Sequence, residues 1–175
     1  MPEHRPPTPS QTVGPFFGIG LPFPGDSEAV APSDAGRVRI EGRLLDGEGA
    51  PVSDGLLELW QGDQFARCRT DPEGAFHCTV RKPGPLPGPE GRTQAPHLNV
   101  TVFARGLLRH LATRLYFPDE ATANAADPVL ERIDPGRRHT LIARQDATAL
   151  QFDVRLQGEG ETVFFDLQAD RSLAG

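Results

Sequence analysis

Near its middle the chain reads Ala95-Pro96-His97-Leu98-Asn99-Val100-Thr101-Val102-Phe103-Ala104. After Ala95-Pro96-His97, every second side chain is apolar. These apolar side chains are Leu98, Val100, Val102 and Ala104. Successive side chains of a β-strand point to opposite faces, so this period of two predicts a strand with one buried face.

Short segments of the same kind lie on both sides of this strand. Two turn sequences predict β-hairpins: Asp46-Gly47-Glu48-Gly49 between strands at 38–44 and 55–60, and Asp71-Pro72-Glu73-Gly74 between strands at 64–70 and 76–80. Further strands are expected at 110–117, 141–144, 151–156 and 162–166. About eight or nine short strands, spaced by roughly ten residues, are typical of a β-sandwich.

Composition supports an all-β fold with long loops. A chain of 175 residues suits one domain, and its 19 glycines and 18 prolines imply many turns. One short helix is expected at 120–126, capped by Asp119 and ended by Pro128. Residues 82–96 form a proline- and glycine-rich loop that is long enough to be functional.

Three segments are predicted along the chain. Residues 1–36 form an extended arm, 37–168 the β-sandwich and 169–175 a tail. The arm reads either as a disordered tail or as a segment that packs on a partner subunit. The apolar residues of the arm favour packing over disorder. They are Val13, Phe16, Phe17, Ile19, Leu21 and Phe23.

Charge and targeting signals narrow the class of function. The net charge of −6 and the pI near 5.3 argue against a nucleic-acid or anionic-membrane surface. No apolar run reaches the roughly 18 residues of a membrane span, and the start of the chain lacks the apolar core of a signal peptide. A cytoplasmic protein is expected, in which Cys68 and Cys78 are buried, reduced thiols.

The side chains that commonly bind metals are sparse. The five histidines show no metal-ligand spacing, and the chain has a single tyrosine, Tyr116, which we expect to pack in a strand. His97 is either a ligand on the central strand or a hydrogen-bonded core residue, and the second interpretation is the commoner one.

Six blocks of sequence, in order from about residue 8 to residue 166, resemble the intradiol ring-cleavage dioxygenases. They are Thr8-Pro9-Ser10-Gln11-Thr12-Val13-Gly14-Pro15-Phe16-Phe17, Leu57-Glu58-Leu59-Trp60-Gln61, Arg81-Lys82-Pro83-Gly84, Ala95–Asn99 with Phe103-Ala104-Arg105-Gly106, Thr113-Arg114-Leu115-Tyr116-Phe117, and Gln157–Asp166. The resemblance implies a sandwich of the transthyretin-like type that characterises this family.

Iron-binding members of that family hold a non-haem ferric ion through two tyrosinates and two histidines. The histidine positions are matched here by His97 and Asn99, and one tyrosine position by Leu86. The other tyrosine belongs to a loop that is shortened here to residues 62–68. The resemblance therefore implies a chain without metal, whose homologous beta subunit binds Fe(III) in an obligate heterodimer and in larger assemblies.

The same resemblance places the active site at the interface between the two subunits. This chain is then expected to line the substrate pocket with Thr12, Gly14 and Pro15 from the arm, and with Arg105. The reaction implied is O₂-dependent opening of 3,4-dihydroxybenzoate to 3-carboxy-cis,cis-muconate. Each pocket residue has a plainer interpretation: the arm residues shape the arm, and Arg105 pairs with a surface carboxylate. A binding or structural β-sandwich without a catalytic role is the alternative function.

Overall fold

A computed structural model describes residues 9, 11, 12, 14 and 16–166. Its strands are β1 Arg37–Leu45, β2 Leu56–Gln61, β3 Gln64–Arg69, β4 Ala75–Arg81, β5 Leu86–Pro87, β6 Thr93–Gln94, β7 His97–Phe103, β8 Leu111–Tyr116, β9 Arg144–Gln145, β10 Leu150–Gln151 and β11 Val154–Arg155. Two short α-helices, α1 Phe17–Gly20 and α2 Ala121–Ala125, accompany 3₁₀ turns at Pro89–Gly91, Pro118–Glu120, Leu130–Arg132 and Arg138–Leu141.

Two main sheets form the predicted β-sandwich. In the first, β1 pairs antiparallel with β4 and parallel with β10 and β11, and β9 follows β10. The second has the order β3-β2-β7-β8. One apolar core contains side chains from both sheets, including Ile40, Phe76, Leu98, Val100 and Leu115. The predicted all-β sandwich and the buried face of the central strand are both confirmed.

Both predicted hairpins are wrong. β1 and β2 lie in different sheets, as do β3 and β4, because each chain reversal crosses the sandwich instead of pairing its flanking strands. The turn at Asp71 does form, since its carboxylate accepts hydrogen bonds from the backbone N–H groups of Glu73 and Ala75. One hairpin that does occur joins β2 to β3 through Gly62-Asp63, with Gly62 at a φ of 63°.

The segment after β8 is less regular than expected. Of the strands predicted at 141–144 and 162–166, only Arg144 lies in a named strand, and single bridges join Tyr116 to Ile142 and Ala112 to Phe165. The predicted helix is present as α2, but Asp119 does not cap it. The Asp119 carboxylate instead accepts a hydrogen bond from Lys82 Nζ at 2.7 Å.

The end of the arm lies against its own sandwich. Phe17 is buried with its ring 6.3 Å from that of Phe103. Further on, Glu28 forms a parallel bridge with Thr79, so the arm extends the first sheet beyond its edge strand β4. The predicted boundaries at residues 36 and 168 remain predictions, and the tail lies outside the described residues.

Cys68 and Cys78 approach each other from the facing strands β3 and β4. Both are free and buried, as expected, although they face each other across the sandwich and not across a hairpin. A hydrogen bond with Cys78, together with burial, raises the pKa of the Cys68 thiol. Over the range that the structure describes, no helix is both long and apolar enough to cross a bilayer.

Candidate functional site

The outward face of β7 carries two residues that the family resemblance singles out. Leu98 points into the core, so His97 and Asn99 point to the other side of the second sheet. The strand register sets His97 opposite Tyr116, and Asn99 between Trp60 on β2 and Arg114 on β8. His97 and Asn99 are the two residues that the family resemblance matches to metal-binding histidines.

His97 is buried and hydrogen-bonded. Its Nδ1 donates to the Ala95 carbonyl at 2.7 Å, and its ring centroid lies 5.4 Å from that of Tyr116. Burial lowers the pKa of His97, which keeps the imidazole neutral at pH 7. Its surroundings match the interpretation as a hydrogen-bonded core residue.

Tyr116 belongs to a buried polar network that sequence reasoning missed. Its hydroxyl donates to Asp127 Oδ1 at 3.2 Å and accepts from Arg114 Nη1 at 3.2 Å. Arg114 Nη1 also donates to Gln94 Oε1 at 2.7 Å. Burial raises the pKa of Tyr116 far above the ordinary tyrosine value, so the side chain remains a phenol.

Asp127 anchors this network to the backbone. Its carboxylate accepts hydrogen bonds from the N–H groups of Ala95, Val129 and Leu130 at 2.8, 2.8 and 2.9 Å. These bonds hold the entry to β7 against the 3₁₀ turn at Leu130–Arg132. The sequence signal was an aspartate directly before a proline and ahead of a short turn, which is typical of a side chain that caps backbone N–H groups.

The residues present do not fit a ferric ion. Leu86, in β5, has no donor atom, Asn99 offers only a neutral amide, and His97 has one nitrogen committed to Ala95. The phenol of Tyr116 is protonated and donates to Asp127, whereas Fe(III) favours an anionic phenolate. Nowhere in 16–166 do three or more His, Cys, Asp or Glu side chains group closely enough to hold a metal.

The backbone of the shortened loop at 62–68 is fixed in a tight turn and a strand, so it cannot move a side chain toward a metal site elsewhere on the sheet. It consists of the two-residue turn Gly62-Asp63 followed directly by strand β3. Its outward side chains, Phe65 and Arg67, therefore have positions that the sheet fixes.

The arm residues predicted to line the pocket are only partly described. Thr12 is exposed, Gly14 is half-buried with a φ of 66°, and the Gly14 N–H donates to Thr12 Oγ1 at 3.4 Å. The left-handed φ favours glycine at this position. Pro15 lies outside the described residues, so its predicted role is not tested.

Arg105 follows β7 at the same end of the sandwich as the start of α1. Its side chain is 71% exposed, and Nε lies 3.2 Å from Asp54 Oδ2 as an ion pair without hydrogen-bond alignment. Asp54, with Gly18 and Ile19 of the arm, lines a cavity of about 530 Å³. No hydrogen bond or ion pair between described atoms joins Thr12 or Gly14 to Arg105, so pocket lining by these residues remains a prediction.

Large apolar side chains stand exposed along the arm and the second sheet. We call this set the apolar arm face, and it comprises Phe16, Ile19, Leu21, Phe23, Trp60 and Phe65. Within this set Trp60 and Phe65 are directly opposite on β2 and β3, and Phe23 and Phe65 both contact Arg67, so this part of the face is suited to contact with another chain.

Solved structures with this fold include dioxygenases. The dioxygenase domain of a carbohydrate-binding fusion protein from Streptomyces sp. SirexAA-E superposes with a TM-score of 0.56 over 87% of this chain and 99% of its own, at 24% identity. 3-Chlorocatechol 1,2-dioxygenase from Rhodococcus opacus 1CP gives a TM-score of 0.58 over 73% of this chain and 63% of its own, at 21% identity. The chain therefore has the fold of the intradiol dioxygenases.

Sequence similarity is more specific. The chain is 42% identical to the protocatechuate 3,4-dioxygenase alpha chain of Pseudomonas putida, over 94% of this chain and 98% of that one, and equally identical to the alpha chain of Burkholderia cepacia, over 91% and 97%. It belongs to the family of protocatechuate 3,4-dioxygenase alpha chains. The Burkholderia cepacia beta chain is 30% identical over 72% of this chain and 66% of its own. No family profile matches the chain.

Proposed function

We propose that this chain is the non-iron alpha subunit of a protocatechuate 3,4-dioxygenase. The observation that carries the proposal is 42% identity to such alpha chains along nearly the whole length of both sequences. The donor set on the outward face of β7 supports it, because these side chains do not suit a ferric ion. In the proposed complex, Fe(III) is bound by the homologous beta subunit.

The proposed reaction opens the ring of protocatechuate, 3,4-dihydroxybenzoate, between its two hydroxyl-bearing carbons. Both atoms of O₂ enter the product, 3-carboxy-cis,cis-muconate, and a ferric ion held by the beta subunit would supply the activation of the diol toward oxygen. This chain binds and orients the substrate and helps to exclude water. Its proposed contribution is geometric.

Two parts of the chain are suited to that role. Gly14 and Pro15 allow backbone to approach a flat aromatic ring closely, and Thr12 adds a hydroxyl. Arg105 presents an accessible guanidinium, whose charge-assisted bonds to a substrate carboxylate are worth about 1.5–3 kcal/mol. Its ion pair with Asp54 holds the side chain at the rim of the cavity shared with the arm.

The proposed partner is an iron-binding beta chain. The apolar arm face gives this chain a surface suited to an obligate interface, which commonly buries more than about 2,000 Å². The similarity to a beta chain supports a pseudo-two-fold pairing of homologous sandwiches. A cytoplasmic location is part of the proposal, and the two free, buried thiols are in keeping with a reducing compartment.

Co-expression with a beta chain tests the proposal. We expect the two chains to co-purify, and the complex to contain iron and to consume O₂ and protocatechuate in equal amounts. The isolated alpha chain should contain no iron and show no turnover. Turnover by the isolated alpha chain would refute the assignment, and a beta chain that is equally active alone would favour the alternative of a structural β-sandwich without a catalytic role.

A further inference from the structure

Arg67 connects the second sheet to the arm. Its Nη1 donates to the Leu21 carbonyl at 2.5 Å, and its backbone N–H donates to the Asp26 carbonyl at 2.6 Å. The guanidinium carbon lies 5.7 Å from the ring centroid of Phe23 and 5.2 Å from that of Phe65. The Arg67 side chain thus contacts a backbone carbonyl and an aromatic ring of the arm. The Arg67 backbone also bonds the arm at Asp26, five residues beyond Leu21.

Glu58 holds the guanidinium in place. Arg67 and Glu58 are directly opposite on β3 and β2, and Glu58 Oε1 accepts from Nε at 2.9 Å and from Nη2 at 2.6 Å. The two side chains are only 15% and 18% exposed. Because solvent is largely excluded, this pair is more strongly ordered than an exposed ion pair. Arg67 therefore presents a preorganised donor to the arm.

The neighbouring stretch of the arm has few other anchors. Ile19, Leu21 and Phe23 are 74%, 40% and 51% exposed, so apolar burial does little to fix them. Arg69 reaches the Gly18 carbonyl only at 3.4 Å. Phe17 is the buried apolar anchor before this stretch, and the bridge at Glu28 follows it. Between these two points, the contacts of Arg67 determine where the arm runs.

We propose that Arg67 is a positioning residue for substrate binding. By clamping residues 21–26 on the sheet, it acts together with the buried Phe17 to fix the path of the preceding segment, which carries Thr12 and Gly14. This inference rests on the proposed function, in which that segment lines the pocket. Loosening the clamp lowers the fraction of complexes whose arm is correctly placed, and the apparent affinity for protocatechuate falls in proportion to that fraction. The chemistry of a correctly bound substrate is unchanged.

The test uses the purified alpha–beta complex carrying Arg67→Met in the alpha chain. Methionine keeps much of the aliphatic stem but removes the donors and the charge. We expect the KM for protocatechuate to rise about tenfold while kcat stays within about twofold of the unsubstituted complex. Hydrogen exchange at 16–29 should become faster.

Two further variants separate positioning from a general loss of stability. Arg67→Lys keeps one charged donor for the Leu21 carbonyl, so it should recover a large part of the KM defect. Glu58→Gln leaves the guanidinium in place but weakens its anchor, and should raise KM by about threefold. The matched control is Arg144→Met, which breaks an exposed ion pair with Asp153 on the first sheet and should leave KM and exchange of the arm unchanged.

The possible results are distinct. An unchanged KM in Arg67→Met, measured in a complex that retains its subunits and its iron, would overturn the inference. So would a fall in kcat without a rise in KM, or an equal effect of Arg144→Met. If Arg67→Met does not assemble, the Lys and Gln variants decide by the same criteria. An inactive unsubstituted complex would refute the proposed function instead, and would be seen before any variant is measured.

Discussion

At the scale of single residues, buried polar groups organise the region around the start of β7. Asp127 is fully buried, and it accepts hydrogen bonds from three backbone N–H groups and from the Tyr116 hydroxyl. A buried carboxylate is costly unless its oxygens are satisfied, and here both oxygens are. The network therefore joins the β7 entry, the β8 end and the turn after α2 into one unit.

Removing this carboxylate should destabilise the chain strongly. In Asp127→Ala, three N–H groups and a hydroxyl lose their acceptor, and we expect the free energy of unfolding to fall by about 3 kcal/mol. Urea denaturation of the purified complex measures the change. The control is Asp134→Ala, which removes one bond to the Gly136 N–H at an exposed turn and should cost less than about 1 kcal/mol. Equal losses in the two variants would show that the network contributes no more to the free energy of unfolding than one exposed hydrogen bond.

His97 should make stability depend on pH below neutrality. Burial lowers its pKa, with Arg114 acting in the same direction, whereas the Ala95 carbonyl and Asp127 favour the charged form. The unfolded chain binds a proton near the ordinary pKa of about 6.5, and the folded chain does so only at lower pH. The contribution of His97 to stability is therefore constant above about pH 7 and decreases as the pH falls below that value.

Thermal unfolding at pH 7.5 and 5.5 checks this dependence. In His97→Gln the amide can donate to the Ala95 carbonyl without titrating, so the decrease in Tm between the two pH values should be smaller than in the unsubstituted chain. His139→Gln, at an exposed position, should leave the decrease unchanged. The same pH dependence in all three proteins would contradict the role given to His97.

For single residues, the sequence predicted which ones lie at the site better than it predicted which partners they contact. His97 and Asn99 could be singled out because a strand period places them on one face, and the structure has them there. The acceptor of the Tyr116 hydroxyl could not be found, because Asp127 reaches it from a loop whose path no local pattern predicts. Pocket lining by Thr12, Gly14, Pro15 and Arg105 stays a prediction, because it came from the family resemblance and no local sequence pattern supports it independently.

At the scale of elements, the strands were more predictable than their pairing. Alternation identified β7, and turn residues identified the reversals at 46–49 and 71–74. A turn sequence specifies that the chain reverses, but not whether the next strand joins the same sheet or the facing one. That choice depends on which buried faces must meet, as Leu44 and Phe76 do with Leu57 and Val100 in a common core.

Gly42 in β1 tests how closely the first sheet is packed. A Cβ at this position would lie 1.9 Å from the Phe152 carbonyl oxygen, and backbone cannot yield as a flexible side chain can. Gly42→Ala should therefore lower the free energy of unfolding by about 3 kcal/mol or more, by forcing β1 and the 150–154 segment apart. Denaturant titration measures the loss.

Gly84→Ala serves as the control for that substitution. No atom lies within 4 Å of the added Cβ at Gly84, and its φ is not in the left-handed region. We expect a change within about 0.5 kcal/mol. A Gly42→Ala chain as stable as Gly84→Ala would show that the strands can separate at this point without cost.

At the scale of the whole molecule, the exposed apolar arm face is the feature that most needs a second chain. Ile19→Ser should weaken association with the beta chain by about tenfold, because a 74% exposed isoleucine contributes little until a partner covers it. Dilution-dependent dissociation of the complex measures the effect. The Tm of the isolated alpha chain should not change.

Leu108→Ser is the comparison for that experiment. Leu108 is 61% exposed in the turn between β7 and β8, away from the arm in sequence. We expect its substitution to affect association less than Ile19→Ser does. If Leu108→Ser weakens the complex more, the partner binds chiefly through the β7–β8 turn.

The contacts of the arm also constrain the order in which the newly made chain can mature. Translation produces residues 16–29 well before the groups that receive them: Arg67 lies 46 residues beyond Leu21, and Thr79 lies 51 beyond Glu28. Ribosomal synthesis must therefore pass both β3 and β4 before this segment has anywhere to dock, and long loops close slowly. Until then its phenylalanines lack their final contacts, so this segment reaches its final place only after residues that are made much later.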